Sequence, residues 1–193
     1  MALVFRGYGG FAWLYACLRF MALPPAFLNR ASGKVLDVGC GFGQYSLFLA
    51  ARGCRVTGID MNEQRIGIAR NAAKKMGLDA EFMAGRIEDV RGRYDTIIMV
   101  DLLHHVERQP EVLRQCRKRL AKGGVLIVKE VDVRPRHKYM INYLQDKLIT
   151  GGRAFYRSSG EMMNLLRGAG FSVRMKRISH PVYAHVLFVC RTE

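Results

Sequence analysis

Residues 34–43 have the sequence KVLDVGCGFG, in which a short apolar segment runs into glycines at alternate positions. The apolar segment predicts a buried strand, and the pattern after Gly43 predicts a helix. Glycine lacks a Cβ, so the loop between them can turn sharply and let a ligand approach its backbone. A strand, a glycine loop and a helix in this order are typical of a nucleotide-like ligand site in a doubly wound α/β sheet.

The spacing of the glycines narrows the class of ligand. Dinucleotide sites favour G-x-G-x-x-G around a pyrophosphate, whereas Gly39, Gly41 and Gly43 follow G-x-G-x-G. Asp37 precedes the first glycine by two residues. Its carboxylate would repel a pyrophosphate and attract a ligand that carries an ammonium group.

A second carboxylate, Asp60, ends the next predicted strand, which spans residues 55–60. A carboxylate at this place can accept hydrogen bonds from both hydroxyls of a ribose. The alternative is that Asp60 only adds negative charge at the start of the following helix. That alternative is weaker, because Asn62 can cap the helix by itself.

At these residues the chain resembles the class I S-adenosylmethionine (SAM)-dependent methyltransferases, in particular the methyltransferase-11-like enzymes of small molecules and lipids. The resemblance covers roughly residues 34–192. It implies SAM as cofactor and S-adenosylhomocysteine as product. No metal site is expected, because no pair of cysteines has metal-ligand spacing. The glycine loop would line the methionine half of SAM, and Asp37 would help to hold its amino group, often through water. Asp60 would bind the ribose, and Met61 would flank the adenine.

One position departs from the pattern of that family. The family usually has an acid where Arg86 stands, with its side chain near the adenine amino group. The backbone of Arg86 and Ile87 is expected to meet the edge of the ring, and the Arg86 side chain is left without a role. The residues expected to bind SAM are Asp37, Gly39, Cys40, Gly41, Gly43, Asp60, Met61, Arg86, Ile87 and Asp101.

A histidine pair follows the fourth predicted strand, in the segment DLLHHV at residues 101–106. This segment lacks the prolines of methyltransferases that act on nucleobase amino groups, and no cysteine follows a proline, as covalent attack on a pyrimidine would require. The pair resembles that of small-molecule and lipid-quinone methyltransferases. We expect His104 or His105 to be the general base, because imidazole titrates near neutral pH. The alternative is that one of them only packs at the strand end.

Apolar runs alternate with helical patterns along the chain, which predicts βαβ units. The predicted fold is α/β, with a Rossmann-like doubly wound sheet of seven strands, mostly parallel, and a C-terminal antiparallel β-hairpin. Tyr183, at the hairpin tip, is a candidate to orient the acceptor, although a plain turn is an equal alternative. Strands are predicted at residues 34–38, 55–60, 80–84, 94–100, 124–131, 171–179 and 184–191, and helices at 43–52, 62–76, 109–120 and 159–168. The first three helices are predicted to end at the glycine caps Gly53, Gly77 and Gly123. The fourth is predicted to begin with a capping box of Ser158 and Glu161.

Besides the hairpin tip, two segments are expected to select the acceptor, one before the methyltransferase domain of residues 34–193 and one within it. Residues 1–33 form an apolar, helix-like segment that is predicted to cover the site, with plain packing or a membrane-surface contact as alternatives. Residues 132–157 form a long basic connection, with a helix-like part at 139–149. Long connections of this kind tend to be lids or binding segments.

The net charge of +15 lies mostly outside the predicted nucleotide-fold core, because residues 1–36 contribute +4, residues 37–132 only +3 and residues 133–193 +8. This field favours anionic partners. The expected partner is a small-molecule or lipid-like acceptor, including anionic or carrier-bound forms. Nucleic acid is not favoured, since no RNA-binding module is recognisable. The scattered cysteines predict a cytoplasmic protein, with peripheral membrane contact as an option.

The function that agrees best with these patterns is SAM-dependent methyl transfer to a hydroxyl of a small-molecule, phenolic or lipid-like acceptor. Two alternatives stay open. The first is an RNA methyltransferase, which the basic charge would suit. The second is a non-catalytic SAM-fold binding protein, which the apolar N-terminus beside basic flanks would suit. The sequence leaves the oligomeric state open.

Overall fold

The computed structural model describes residues 25–150, 153–179 and 183–192. Three short 3₁₀ turns, Pro25–Leu28, Ile87–Asp89 and Leu103–His105, lie among the longer elements. The strands are β1 (Lys34–Val38), β2 (Arg55–Asp60), β3 (Ala80–Ala84), β4 (Tyr94–Val100), β5 (Leu120–Val131), β6 (Phe171–Ile178) and β7 (His185–Thr192), and the helices are α1 (Gln44–Ala50), α2 (Glu63–Met76), α3 (Gln109–Arg119), α4 (Arg136–Thr150) and α5 (Ser159–Gly168).

The strands form one sheet in the order β3-β2-β1-β4-β5-β7-β6. Strands β1 to β5 are parallel, and β7 is antiparallel to both β5 and β6. The predicted seven-stranded sheet with its antiparallel C-terminal pair is therefore confirmed. The chain order reverses at β1, between β2 and β4, and ligands of open α/β sheets bind at the carboxyl ends of the strands beside such a reversal.

The prediction for β5 was wrong at its start. The strand begins at Leu120, not at residue 124, and Leu120 pairs with Tyr94 before the register shifts. Helix α3 ends in Leu120 as its C-cap, so the chain passes from helix to strand without a glycine. Gly123, with a φ of 74°, lies within the irregular start of β5 and is not a helix cap.

The other predicted caps have mixed outcomes. Gly77 caps α2 in a left-handed conformation, as predicted, whereas the C-cap of α1 is Ala51 and Gly53 lies two residues beyond it. The capping box of α5 is present, since the Ser158 side chain accepts from the Glu161 N–H and the Glu161 carboxylate accepts from the Ser158 N–H. The remaining predicted boundaries lie within one or two residues of those observed, except that the helix-like part predicted at 139–149 begins three residues earlier, at Arg136.

Both faces of the sheet are buried, which places successive residues of β1 in different surroundings. Val35 packs with α1 and α2, whereas Leu36 and Val38 pack with α3 and α5. Asp37 therefore points towards α1. The four described cysteines are buried free thiols, as a role in packing requires.

The predicted lid-like connection contains a full helix, α4, which spans Arg136–Thr150. The buried Asn142 joins α4 to the sheet, because its Oδ1 accepts a hydrogen bond of 3.3 Å from the Ala184 N–H. No helix among the described residues is long and apolar enough to cross a membrane. Of the predicted N-terminal segment 1–33, residues 1–24 lie outside the described part of the chain, and the described remainder contains the 3₁₀ turn Pro25–Leu28.

Candidate active site

The outer glycines of the loop after β1 are required by packing. Gly39 and Gly43 have φ values of 72° and 78°, which side chains with a Cβ rarely adopt. A Cβ on Gly39 would lie 2.6 Å from Leu102 Cδ1, and one on Gly43 would lie 2.7 Å from the Phe82 ring. These two glycines therefore let the loop lie close to the segment after β4 and to β3.

The middle glycine faces open space. Gly41 has a φ of 55°, and a Cβ built on it would meet nothing within 4 Å. Its N–H donates a hydrogen bond of 3.0 Å to Asp60 Oδ2, while Asp60 Oδ1 accepts one of 2.9 Å from Asn62. Met61 is 69% exposed beside this carboxylate. The structure thus brings together the loop, the carboxylate and the apolar side chain that the sequence predicts to bind SAM, and their contact with SAM stays a prediction.

The Asp37 side chain forms a hydrogen bond with another residue of the protein. This side chain is buried, and Oδ2 accepts a hydrogen bond of 2.6 Å from the Ser46 hydroxyl of α1. Burial raises the pKa of the Asp37 carboxyl from 3.8 to about 7; the Ser46 hydrogen bond opposes this change, and the charge of Asp60 adds to it. This contact joins β1 to α1 just below the glycine loop, and a contact of Asp37 with SAM stays a prediction.

Three further predicted SAM residues differ in exposure. Cys40 is buried, and burial raises the pKa of its thiol well above the usual range, so it is a neutral packing group. The Arg86 side chain is exposed, and the backbone N–H of Arg86 donates a hydrogen bond of 2.8 Å to Asp89 Oδ2. Ile87 has its side chain in the core, so only its backbone is available for the predicted adenine contact.

Asp101, the last predicted SAM residue, belongs to a buried ion pair with β5. Lys129 Nζ lies 2.5 Å from Asp101 Oδ1, and Lys129 is only 1% exposed. The Asp101 N–H donates 2.9 Å to the Lys129 carbonyl. Asp101 has a φ of 51°, an uncommon conformation for a residue other than glycine. The chain therefore bends sharply where β4 ends.

His104 forms a second buried pair, with Glu130. His104 Nδ1 lies 2.5 Å from Glu130 Oε2, and both residues are almost fully buried. Glu130 Oε1 also accepts hydrogen bonds from the Leu102 and Leu103 N–H groups, at 3.0 and 2.6 Å. The sequence analysis missed Glu130 and Lys129. Two adjacent charges inside an otherwise apolar strand were the signal that could have found them.

The two histidines of the pair have different surroundings. The His105 ring lies 4.1 Å from the His104 ring and is partly exposed. The Tyr156 ring stacks on His104 at 4.9 Å with an interplanar angle of 11°. His104 is therefore covered by aromatic rings, whereas His105 lies at the edge of this arrangement.

Three tyrosines from the lid-like connection form an aromatic cover, which we call the tyrosine cluster: Tyr139, Tyr143 and Tyr156. Tyr139 meets Tyr156 edge-on at 5.1 Å, and Tyr143 lies 6.3 Å from Tyr156. Tyr139 and Tyr143 are one helical turn apart on α4. Aromatic residues at this spacing in the predicted lid were the available signal for the cluster, and the sequence analysis did not use it.

The chain before Tyr156 is fastened to the histidine segment by the buried Gln109. Its Nε2 donates to the carbonyls of Leu103 and Phe155, at 2.9 and 3.1 Å. Its Oε1 accepts a hydrogen bond of 2.6 Å from Arg157 Nε, and the Phe155 N–H donates one of 2.6 Å to the His104 carbonyl. The end of the lid-like connection is thus held directly against the histidine segment.

Tyr183 lies just before β7, and its ring stacks on His185 at 5.4 Å. His185 pairs with Val131 at the carboxyl end of β5, so Tyr183 belongs to the edge of the sheet that also carries the histidine pair. Its role towards the acceptor stays a prediction. The other residues of the predicted hairpin tip, 180–182, lie outside the described ranges.

Comparisons of the sequence with known proteins identify a family. A family profile described as a methyltransferase domain matches residues 14–175. The ubiquinone biosynthesis O-methyltransferase of Marinobacter nauticus is 33% identical over 161 residues, which cover 76% of this chain and 67% of that protein. The protein of the same name from Pseudomonas aeruginosa is 34% identical over 113 residues, 55% of this chain and 47% of its own length. The chain thus spans between 47% and 67% of the length of these relatives.

Solved structures share the fold over most of their length. The magnesium protoporphyrin IX methyltransferase of Synechocystis, with bound S-adenosylhomocysteine, has a TM-score of 0.73 and 23% identity, over 97% of this chain and 90% of that one. A SAM-dependent methyltransferase of Methanosarcina mazei has a TM-score of 0.67 and 25% identity, over 82% of this chain and 92% of that one. With its glycine loop, Asp60 and a matching profile over most of its length, this chain belongs to the class I SAM-dependent methyltransferases.

Proposed function

We propose that this methyltransferase acts on a hydroxyl group of a phenolic or lipid-like small molecule, with His104 as the general base. The observation that carries the proposal is the Glu130 carboxylate, 2.5 Å from Nδ1 of the buried His104. A carboxylate only accepts hydrogen bonds, so Nδ1 is the donor, and in the neutral imidazole Nε2 then keeps the lone pair. Neutral imidazole in this form is suited to take a proton from a hydroxyl.

The loop after β1 has the features needed to hold SAM. The open space at Gly41 admits the ligand against the backbone, Asp60 is available to the ribose hydroxyls, and the exposed Met61 to the adenine face. When bound, SAM supplies the methyl carbon, to which the acceptor oxygen bonds while the electrons of the broken carbon–sulfur bond stay on sulfur. His104 takes the hydroxyl proton at Nε2 and later returns it to solvent.

His105 is the alternative base. It follows His104 directly and is more exposed, which would give a polar acceptor easier access. His104 is supported by its carboxylate partner, because a base that is held and oriented by a second group needs less reorganisation. Separate substitution of the two histidines distinguishes these roles.

The tyrosine cluster supports an aromatic acceptor. Tyr156 stacks on His104, and Tyr139 packs edge-on against Tyr156. Aromatic walls favour a planar ring in stacked or edge-on contact, and they exclude water from the reacting oxygen. The names of the curated relatives, ubiquinone biosynthesis O-methyltransferases, also support an oxygen acceptor on a lipid-like ring.

The outer face of α4 supports contact with an anionic membrane surface, where a lipid-like acceptor would be found. Met140, Ile141 and Leu144 are 40%, 42% and 55% exposed, and Arg136 and Lys147 are exposed on the same helix. Apolar and basic groups together bind anionic lipid. We expect co-sedimentation with phosphatidylglycerol vesicles and not with phosphatidylcholine vesicles, and a loss with Leu144→Asp. Equal sedimentation of this variant would contradict the contact.

The acceptor is tested with SAM that carries an isotopically labelled methyl group. Catechol and a prenylated catechol serve as oxygen acceptors, and o-phenylenediamine is the matched nitrogen acceptor of the same shape. We expect mass spectrometry to find the label on a catechol oxygen and none on the diamine. Label on nitrogen or ring carbon alone, or no transfer to either catechol at saturating SAM, would refute the hydroxyl assignment.

A further inference from the structure

Lys129 and Glu130 are adjacent charged residues in the buried strand β5, and each is 1% exposed. Successive side chains of a strand point to opposite faces of the sheet. Buried charges are stable only when they are paired and hydrogen-bonded. Both residues find their partners in the same short segment, the turn at residues 101–104 after β4.

On one face, Lys129 holds the first residue of this turn. Lys129 Nζ donates to Asp101 Oδ1, and the Lys129 carbonyl accepts from the Asp101 N–H. Lys129 and Asp101 are thus joined twice, once between their side chains and once between their backbones. This double contact maintains Asp101 at its φ of 51°, a conformation that persists only where its surroundings determine it.

The bend at Asp101 sets the position of Leu102. The Leu102 side chain lies so close to the glycine loop that a Cβ on Gly39 would come within 2.6 Å of it. The pairing of Asp101 with Lys129 therefore supports the wall of the SAM site as well as the turn itself.

On the other face, Glu130 holds the rest of the turn. Its Oε1 accepts from the Leu102 and Leu103 N–H groups, and its Oε2 faces His104 Nδ1. With Oε1 occupied by two backbone donors, Oε2 is left to the imidazole. The carboxylate therefore fixes both the backbone of the turn and the proton on Nδ1.

We propose that Lys129 and Glu130 are positioning residues that hold the turn from opposite faces of the sheet. Lys129 acts through Asp101 and Leu102 on the SAM side, and Glu130 keeps His104 protonated at Nδ1 with the lone pair on Nε2. The catalytic consequence rests on the proposed function. The tautomer of His104 and the effect of Lys129 on SAM binding are independent of the proposed function, and both can be measured without an acceptor.

The tautomer is tested by nitrogen-15 NMR of the full chain, with His104→Gln used to assign the signals. We expect the wild type to show a protonated Nδ1 and an unprotonated Nε2. In Glu130→Gln, the backbone donors keep the amide oxygen, so the amide NH₂ faces Nδ1 and the proton moves to Nε2. A wild-type proton on Nε2, or no change in the folded variant, would overturn the role of Glu130.

The kinetic consequence uses the same variant. Glu130→Gln should lower kcat towards catechol by about 10² to 10⁴, as loss of a correctly oriented base does, while the Kd for SAM stays within about twofold. The double variant with His104→Gln should be no slower than His104→Gln alone. A tautomer switch with undiminished kcat would refute His104 as the base, which is a failure of the proposed function and not of the positioning role of Glu130.

Lys129 is tested by its effect on SAM. Lys129→Met leaves a buried carboxylate, so the neutral pair Lys129→Met/Asp101→Asn is the second variant. Both should weaken SAM binding by about tenfold or more, because the bend that carries Leu102 relaxes, and both should leave the proton of His104 on Nδ1. Unchanged SAM affinity in the folded double variant would overturn the role of Lys129.

Discussion

The carboxylate of Asp60 accepts a hydrogen bond of 3.0 Å from the backbone N–H of Gly41, 19 residues earlier in the chain. This bond ties the end of β2 to the glycine loop after β1. The group expected to bind the ribose therefore also orders the loop expected to hold the methionine half of SAM. Cofactor affinity should depend on Asp60 for both reasons.

Asp60→Ala should weaken SAM binding by at least about 100-fold, because hydrogen bonds to a charged group contribute about 1.5–3 kcal/mol each. Isothermal titration calorimetry measures the Kd. Glu81→Ala removes an exposed acid of the adjacent strand β3 and is the matched control, with affinity unchanged. An Asp60→Ala Kd within about threefold of wild type would contradict the assignment.

Gly41→Ala and Gly53→Ala separate backbone strain from ligand contact. Both glycines have positive φ values, 55° and 84°, and a Cβ on either would meet nothing within 4 Å. Each substitution should lower the free energy of unfolding by about 1–2 kcal/mol. Only Gly41→Ala should also weaken SAM binding, by about tenfold or more, because its Cβ enters the space where the ligand lies. Equal SAM affinities in the two variants would contradict this placement.

The pH dependence of stability should report on Asp37. Because its folded pKa, about 7, lies above the unfolded value of 3.8, its contribution is fully present below the unfolded pKa and is lost as the pH rises through about 7. Between about pH 5.5 and 8.5 the loss should be about 2 kcal/mol. Asp37→Asn keeps a hydrogen-bonding side chain beside Ser46 and lacks this titration.

Urea denaturation of the wild type and of Asp37→Asn at both pH values gives the comparison. Subtracting the two curves removes the titration of the other groups, which the proteins share. We expect the wild type to lose stability relative to Asp37→Asn as the pH rises. Parallel pH profiles would show that Asp37 does not titrate in this range.

Gln109→Met should destabilise the fold by about 2–4 kcal/mol, because it leaves the buried Leu103 carbonyl and the partly buried Phe155 carbonyl without their donor. Gln115→Met is the same change at a half-buried position of α3 and should have little effect. Denaturant unfolding monitored by circular dichroism gives both values. Similar losses in the two variants would mean that the Gln109 hydrogen bonds do not fasten the lid-like connection.

Local patterns predicted the elements well, because strand and helix periods and caps act over a few residues. The bounds of β1 and the capping box at Ser158 needed no knowledge of distant contacts. The start of β5 was missed because Gly123 resembles a helix stop, whereas pairing of Leu120 with Tyr94 extends the strand across it. That pairing is decided by tertiary structure.

The candidate site was predictable where a motif carries it and not where two distant residues meet. Asp60 and the glycine loop follow from spacing. The partner of His104 is 26 residues away on β5, and only the parallel pairing of β4 with β5 brings Glu130 beside it. The spacing of Tyr139 and Tyr143 was visible in the sequence, but their contact with Tyr156 depends on where the fold places α4.

The most direct test of the central claim is single-turnover methyl transfer from labelled SAM to catechol by the wild type, His104→Gln and His105→Gln. If His104 is the base, His104→Gln slows transfer by about 10² to 10⁴, with the SAM Kd unchanged, while His105→Gln keeps most of the rate. Transfer by His104→Gln at the wild-type rate, with SAM bound equally tightly, would contradict the account.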